Sequence, residues 1–510
     1  MSPADHNWRR PAWALLFIAA PLCAGFYQGP AFIDDAFISF RYAAKLAAGE
    51  GFAYNSTPIF GATAPFYVLL LAGLQLVGVG IPVGAFLIGV LSAAAAPVLS
   101  WRAGMALGRP LAGVLGGLLL SLFPSWWLNS KTGMETTLAG MLAILVVLLD
   151  LRKRSVAAGV AAGLLVLTRP DAALLPLIVF LVRVREKPRE GLVFAAAALA
   201  VALPWVIFSA AYFGSPLPQS LAAKRLIHPY PWYLDLAKLG AWFGSATAEP
   251  PLMLLVSLAF VAGAVTIVRH GREGLALALW PPLFLAGLAA TGVGAFFWYK
   301  YPMLPVYFLG AGVGFAGLGD WAGGKGRGAK AVRTAAVLLP LVFIAEQLLG
   351  AVPWYREDKV RDFVAKEDVL REMAARIRGE TAAAGLAPAH VRVLAGEVGV
   401  LGYELLDWEM LDSAGINSRE VYELRRADWE RERSARPESG WQEQWWGSPE
   451  WSRELIRRYR PGFIASNRRY LHLAVLAREP AFQQAYRLTG SWTDKAGEVF
   501  VLFERRDQAK

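Results

Sequence analysis

FIDDAFISFRYAAKLAAGEGFAYN, residues 32–55, is the polar interruption around which the rest of this chain can be read. It follows one apolar segment and precedes hundreds of mostly apolar residues. Asp34 and Asp35 stand side by side where that first segment ends, with Arg41, Lys45 and Glu50 behind them. Carboxylates are costly inside hydrocarbon, so this stretch marks the first place where the chain leaves the bilayer.

Working outward, the 510 residues are 56% hydrophobic and 18% charged, with a mean hydropathy of +0.40. Repeated long apolar runs predict a polytopic α-helical membrane protein. Eleven candidate spans lie at 11–27, 82–104, 110–123, 134–150, 156–168, 172–184, 191–213, 251–268, 274–291, 302–318 and 333–351. Six short segments (1–10, 102–110, 150–155, 183–190, 269–273 and 320–333) hold 17 Lys and Arg against 6 Asp and Glu. That surplus is the whole net charge of +11. Short basic loops mark the cytoplasmic side, and the charge needs no nucleic-acid partner. A further apolar run, 64–78, is assigned to the outer interface, because a crossing there would turn Arg152, Lys153, Arg154 and the 183–190 loop outward. The expected topology is eleven spans, N-terminus cytoplasmic and C-terminus extracytoplasmic. Spans five and six are short and read as a tilted or re-entrant pair.

Residues 1–351 are thus expected to form the membrane domain, with 28–81 as its first outer loop. Residues 352–510 carry charges every few positions and are expected to form an extracytoplasmic α/β domain. Within it VRVLAGEVGVLGYELL (391–406) reads as a strand, a glycine turn and a further element; PGFIAS and EVFVLFE read as strands. The single Cys23 excludes an internal disulfide or a cysteine zinc site.

This orientation gathers a defined set of polar groups on the outer face. Asp34, Asp35, Arg41, Lys45, Glu50 and Asn55 come from the first loop, Lys131 and Glu135 from NSKTGMETT, and Arg169 and Asp171 from TRPDA. Lys224, Arg225 and His228 lie in YFGSPLPQSLAAKRLIH, and Lys300 in FFWYKYP. Nucleotide chemistry is not supported. GGKGRGAK (323–330) lacks the Lys-Ser/Thr ending of a phosphate loop, and GAGVGFAG (310–317) sits inside a span where small residues let helices approach. An outer-face enzyme therefore needs a substrate that arrives activated, such as a sugar on a lipid phosphate. Transfer would use a carboxylate to take the acceptor's proton and cations to stabilise the departing phosphate. Asp34 or Asp35 suits the first task, with a preference for Asp34; Arg169, Lys224, Arg225 and Lys300 suit the second. Arg41, Glu135, Tyr54, Asn55 and His228 are the remaining substrate-binding candidates. No cofactor is required by this scheme, and a divalent metal finds no visible ligand set. Trp441, Trp445, Trp446 and Trp451 read first as packing residues and second as a stacking surface for an acceptor glycan.

The loop resembles the first extracytoplasmic loop of GT-C superfamily glycosyltransferases, where a DD-[AS]-[YF]-I-[ST]-x-R-[YF] pattern and a G-x-G-x-x-[YF]-N ending are typical. It is most similar to the branch that contains the mycobacterial terminal β-(1→2)-arabinofuranosyltransferase. GATAPFYVLLLAGL, TGMETTLAGMLAIL, LTRPDAALL, YFGSPLPQSLAAK and KYPMLP follow in that family's order. VLAGEVGVLGYELLDWEMLDSAGI and YRPGFI resemble its extracytoplasmic domain. The resemblance implies a polyprenyl-phosphate-sugar donor, a glycan or glycoconjugate acceptor and an inverting transfer. It also places the base at Asp34 or Asp35, with Arg41, Glu135, Arg169 and Lys224 matching further motif positions. The chain departs from the branch at Phe60, where a glutamate is usual, so arabinofuranose and another pentose or hexose both stay open as the transferred sugar. Two other classes remain open at this level: a lipid-linked glycan transporter or flippase, which predicts internal repeats and mid-span charges, and a non-catalytic cell-envelope assembly protein, for which the Asp pair would be dispensable.

Overall fold

The computed structural model describes residues 11–27, 29–227, 250–270, 273–291, 296–321, 327–356, 364–433 and 448–507. His228, Trp441, Trp445 and Trp446 lie outside the described residues. Each of the eleven apolar segments is helical. Five helices are long and apolar enough to cross a bilayer: Ile81–Ala106, Pro188–Phe213, Leu252–Arg269, Phe297–Gly319 and Arg327–Val352. A sixth arises if Pro110–Ser121 and Pro124–Ser130, bent by 60°, count as one broken span. Ala12–Phe26, Thr136–Leu151, Ser155–Thr168 and Leu275–Ala290 are apolar but shorter. By length and composition alone, five or six crossings are identified among the described residues, fewer than the eleven expected. The difference arises because helices of 14 to 16 residues reach only about 21–24 Å against a hydrocarbon core of ~30 Å.

Local sequence sets the breaks. Pro110, Pro124 and Pro188 open their helices, where a missing N–H costs nothing. Gly214, at φ 73°, closes Pro188–Phe213 in the left-handed conformation. GAGVGFAG lies inside the Leu304–Trp321 helix. There Gly312 meets the backbone of Ala112 and Gly116, while Gly314 meets that of Ala259 and Gly263. The small residues serve helix contact.

The opening loop folds as helix α1 (Asp34–Ala47), an irregular return through Asn55, and helix α2 (Pro65–Leu76). At 12 residues α2 is about 18 Å long, too short to span. It buries Tyr67, Val68 and Leu71 and packs on α1 and on the Ile81–Ala106 and Ser155–Thr168 helices. A short helix α3 (Gln219–Ile227) follows the PLP segment. Beyond the last apolar helix come α4 (Ala365–Ala383) and a mixed five-stranded sheet, with a short helix α5 (Gly399–Glu404) after its first strand. The strands are β1 (Arg392–Ala395), β2 (Glu409–Asp412), β3 (Phe463–Asn467), β4 (Tyr486–Thr493) and β5 (Val499–Arg505), in the order β2-β1-β3-β5-β4. β1 is parallel to β2 and β3, with Leu394 opposite both Leu411 and Ile464; β5 is antiparallel to β3 and β4.

Strand side chains alternate between faces, and the two faces have different neighbours. Leu394, Leu411, Ile464, Val501 and Phe503 form a cluster of their own with Trp451 and Leu455. Trp451 is thereby a core residue, 1% exposed, with Arg425 over its ring at 4.8 Å. Val393, Ala395, Met410, Phe463, Ala465, Phe500 and Leu502 instead join a cluster that runs through α4 and α5 into α1, α2 and the apolar helices. The sheet is packed onto the first loop as part of one continuous core.

Candidate functional site

Helix α1 presents its two acids to different surroundings. Nothing within its own sequence caps its first turn, since the N-cap residue is Ile33. The cap comes from α4: the backbone N–H of Asp34 donates to Glu367 Oε1 at 2.9 Å. In return the Asp34 carboxylate accepts the N–H groups of Gly399 at 3.1 Å and Val400 at 2.8 Å. The contact is close enough that a Cβ on Gly399 would collide with the Asp34 backbone carbonyl. Asp34 is 4% exposed, and burial raises its pKa, with Lys366 and these two N–H groups pulling it back. Asp35 lies about 100° further round the helix. It is half-buried, and among the described residues no hydrogen bond engages its carboxylate. Electrostatically it faces Lys224, Lys366 and Glu397.

Three loops of the membrane-embedded part are pinned around this point. Ala31 and Ile33 donate to the carbonyls of Lys131 (3.0 Å) and Thr132 (3.1 Å), which docks the TGMET turn against the start of α1. Tyr67 of α2 donates to Gly133 O at 2.6 Å, and Gly133 holds the turn at φ 78°. The turn ends at Glu135, which is 4% exposed and pairs with Arg169 at 2.9 Å. Asp171 grips the same guanidinium through two oxygens, at 2.9 and 2.5 Å. Three of the five guanidinium N–H groups of Arg169 are thus committed to carboxylates, with Tyr299 under the cation at 5.0 Å. The third loop carries α3. Gln219 N–H donates to Phe60 O at 2.8 Å, and Gln219 Nε2 donates to Gly415 O at 2.6 Å. That fixes Lys224, whose ammonium lies 5.4 Å from the Phe296 ring centre and 6.0 Å from that of Tyr299. Burial alone would depress this ammonium; Tyr299 and Asp35 outweigh it and hold the pKa above the usual lysine value.

Asp35, Lys224, Arg169 and Glu135 therefore come together. Asp171 joins them through Arg169, whereas Arg225, Lys300, Arg41, Tyr54 and Asn55 do not. Arg225 is exposed on α3, with Nε donating to Thr291 O at 3.2 Å. Lys300 is buried in the 3-10 helix Phe297–Met303, 5.6 Å from the Tyr301 ring centre. Successive side chains there diverge by about 120°, which separates Lys300 from Tyr299. Arg41, Tyr54 and Asn55 were expected to bind substrate, and the structure gives them another task. Arg41 is 0% exposed. It donates to the carbonyls of Tyr54 (2.6 Å), Gly402, Leu405 (2.7 Å) and Trp408 (2.8 Å). The Tyr54 hydroxyl donates to Val398 O. The Asn55 amide donates to Met410 O at 2.8 Å and accepts its N–H at 3.1 Å, in the manner of an extra strand residue. All three join the first loop to the C-terminal sheet domain. Phe60 stacks on Phe213 at 5.2 Å, within an aromatic group that includes Trp205.

The C-terminal domain also supplies groups that sequence reading did not single out. Lys366 Nζ lies 3.3 Å from Glu397 Oε1, and the Tyr470 hydroxyl lies 3.5 Å from the same oxygen. Burial pushes Glu397 up to about 7, although Lys366 opposes this. Burial likewise lifts Glu367 to about 7. Among the described residues no group of three His, Cys, Asp or Glu could hold a metal ion.

Neither the protein-family models nor the curated proteins give a match to this sequence. Solved structures do match. ArnT from Cupriavidus metallidurans, bound to undecaprenyl phosphate, aligns with a TM-score of 0.59 at 14% identity over 96% of this chain and 98% of that one. The archaeal oligosaccharyltransferase AglB from Archaeoglobus fulgidus, in complex with an inhibitory peptide and a dolichol-phosphate, gives 0.59 at 11% identity over 96% and 74%. The arabinofuranosyltransferase AftD from Mycobacteria gives 0.55 at 15% identity over 98% of this chain, which spans 40% of AftD. All three are GT-C glycosyltransferases, and this chain has their fold.

Proposed function

We propose that this protein is an inverting glycosyltransferase that moves a sugar, arabinofuranose or another pentose or hexose, from a polyprenyl-phosphate donor to a glycan or glycoconjugate acceptor outside the membrane. The observation that carries this reading is Asp35: an accessible carboxylate without a hydrogen-bond partner among the described residues, facing Lys224. In the proposed step an acceptor hydroxyl oxygen forms a bond to the sugar C1 while Asp35 takes its proton. The C1–O bond to phosphate breaks, and the electron pair leaves on the phosphate beside Lys224. Arg169 backs this side, contributing its remaining N–H groups, with Glu135 and Asp171 fixing its orientation. Asp34 keeps α1 against the C-terminal domain instead of taking the proton. The ligands of ArnT and AglB support a lipid-phosphate donor by analogy of fold.

The purified protein, assayed with a panel of polyprenyl-phosphate sugars, should transfer at least one of them. Lys224→Ala is expected to lower kcat by about 10²–10³-fold, the usual loss when a preorganised contact to developing negative charge is removed. Transfer from none of the panel, or an unaffected Lys224→Ala, would sink the reading.

The proposed topology puts the chain in a bacterial inner membrane with eleven crossings, the N-terminus cytoplasmic and α2 lying at the outer face. Val77, 75% exposed just after α2, reports on this. In a Cys23→Ser background, Val77→Cys should react in intact cells with a membrane-impermeant maleimide. Labelling only after the cells are broken would contradict the outer placement.

A further inference from the structure

Asp35 stands between two charged surroundings. On one side are Lys224 and Arg169, the latter paired with Glu135 and Asp171. On the other, the C-terminal domain sets a single ammonium, Lys366, among four carboxylates: Asp34, Asp35, Glu367 and Glu397. An uncharged hydroxyl finds acceptor oxygens there, whereas the carboxylates that stay ionised would repel a departing phosphate.

Sheet topology points to the same place. β1 is parallel to both β2 and β3. The chain leaving β1 goes to β2 on one side, and the chain leaving β3 goes to β4 and β5 on the other. The connections diverge at the carboxyl ends of β1 and β3, and such a switch point opens the crevice in which open α/β sheets bind ligands. Glu397 follows β1 and Tyr470 follows β3, and their side chains meet at 3.5 Å. Gly396 keeps the two ends close, because a Cβ there would press on Ser466 and on the Tyr470 ring. Glu397, Lys366, Tyr470 and Asp35 all retain exposed surface, 17% for the Glu397 side chain and 31% for that of Lys366.

We infer that this crevice is the acceptor site, and that it takes a neutral, hydroxyl-bearing sugar. Glu397 accepts a hydrogen bond from one acceptor hydroxyl, Tyr470 and Lys366 orient Glu397, and a neighbouring hydroxyl is presented to Asp35. The inference rests on the glycosyltransferase reading and adds to it the side of entry, the residues and the charge of the acceptor.

The test uses the purified full-length protein with a short-chain polyprenyl-phosphoryl arabinofuranose, or whichever panel sugar is transferred. Acceptors are a neutral arabino-oligosaccharide and a uronate-bearing oligosaccharide of the same length. Glu397→Gln should raise the neutral acceptor's KM about tenfold, the value of one charge-assisted hydrogen bond, with the donor's KM changed less than twofold. Tyr470→Phe should raise acceptor KM about threefold, and it carries the test alone if Glu397→Gln does not fold. The neutral acceptor should be preferred over the uronate by at least about tenfold, and Glu397→Gln should narrow that preference. An active wild type whose acceptor KM is unmoved in both variants overturns the inference while the glycosyltransferase reading stands. A rise in donor KM instead also overturns it, by assigning Glu397 to the donor side. A wild type that transfers no polyprenyl-phosphate sugar removes both.

Discussion

Asp35→Asn is expected to lower kcat for sugar transfer by about 10³-fold, within the range general-base catalysis usually contributes, with little change in donor KM. The asparagine keeps the size of the side chain and one acceptor oxygen but cannot take a proton. Lys224 and the Arg169 group remain in place to hold a donor phosphate, so binding should survive while chemistry fails, the pattern of a group that acts only in the transition state. Asp34→Asn provides the contrast. Its carboxylate accepts two N–H groups from the start of α5; an amide can accept only one and sets an N–H against the other. The expected cost is about 2 kcal/mol of stability, seen as a lower thermal midpoint in detergent, with transfer retained at least tenfold better than in Asp35→Asn. A dead Asp34→Asn of normal stability beside an active Asp35→Asn would exchange the two assignments.

The different surroundings of Asp34 and Asp35 show what the sequence could and could not convey. The pair stood out as a candidate acidic site because two carboxylates at the end of an apolar segment need a reason. The preference for Asp34 had no comparable footing. One signal was available: Asp34 and Arg41 are seven residues apart, so they share a helix face, and a residue sharing a face with Arg41 shares its neighbours. What that face touches lies 330 to 370 residues further along the chain, at Glu367, Gly399 and Trp408, and no local pattern shows such a pairing. For the same reason Arg41, Tyr54 and Asn55 read as ligand contacts. Polar residues beside a reactive pair look like substrate groups until their partners are seen to be backbone carbonyls of another domain.

Glu397 and Tyr470 illustrate the opposite omission. VRVLAGE was legible as a buried strand with a glycine turn, and the residue after such a turn sits at a strand's carboxyl end. Only the strand order, with β1 and β3 as parallel neighbours, places that position at the point where the connections diverge. Lys366 and Glu367 stand in the first turn of α4, where Glu367 reads simply as a favourable charge; their role depends on α4 docking against α1. The apolar pattern located all eleven helices, because hydrophobicity is a local property. It did not fix how many of them cross, because that depends on length and tilt within the packed bundle.

Arg41→Ala should produce the largest loss of stability of any single change in the first loop, about 4 kcal/mol. The guanidinium is fully buried and serves four carbonyls at once. Its removal strips them of donors and leaves a cavity between α1 and α5, and each buried acceptor left unsatisfied commonly costs about 1–3 kcal/mol. Arg41→Lys should recover less than half of this, since an ammonium has three donors in a compact cluster where the carbonyls are spaced for a planar fork. The readout is thermal unfolding in detergent together with hydrogen exchange in α5 and around Trp408–Met410, which should become faster in both variants. Activity should fall as well, although Arg41 is committed to backbone carbonyls. Asp35 sits six residues before it on the same helix, and Lys366 and Glu397 reach Asp35 only while the C-terminal domain is held against that helix. Addition of the neutral acceptor at high concentration should therefore restore part of the lost rate in Arg41→Lys, because an acceptor seated between the two domains favours their docking. Unchanged exchange in α5 in Arg41→Ala would show that the domain is held by the shared apolar core alone, and Arg41 would return to consideration as a substrate group.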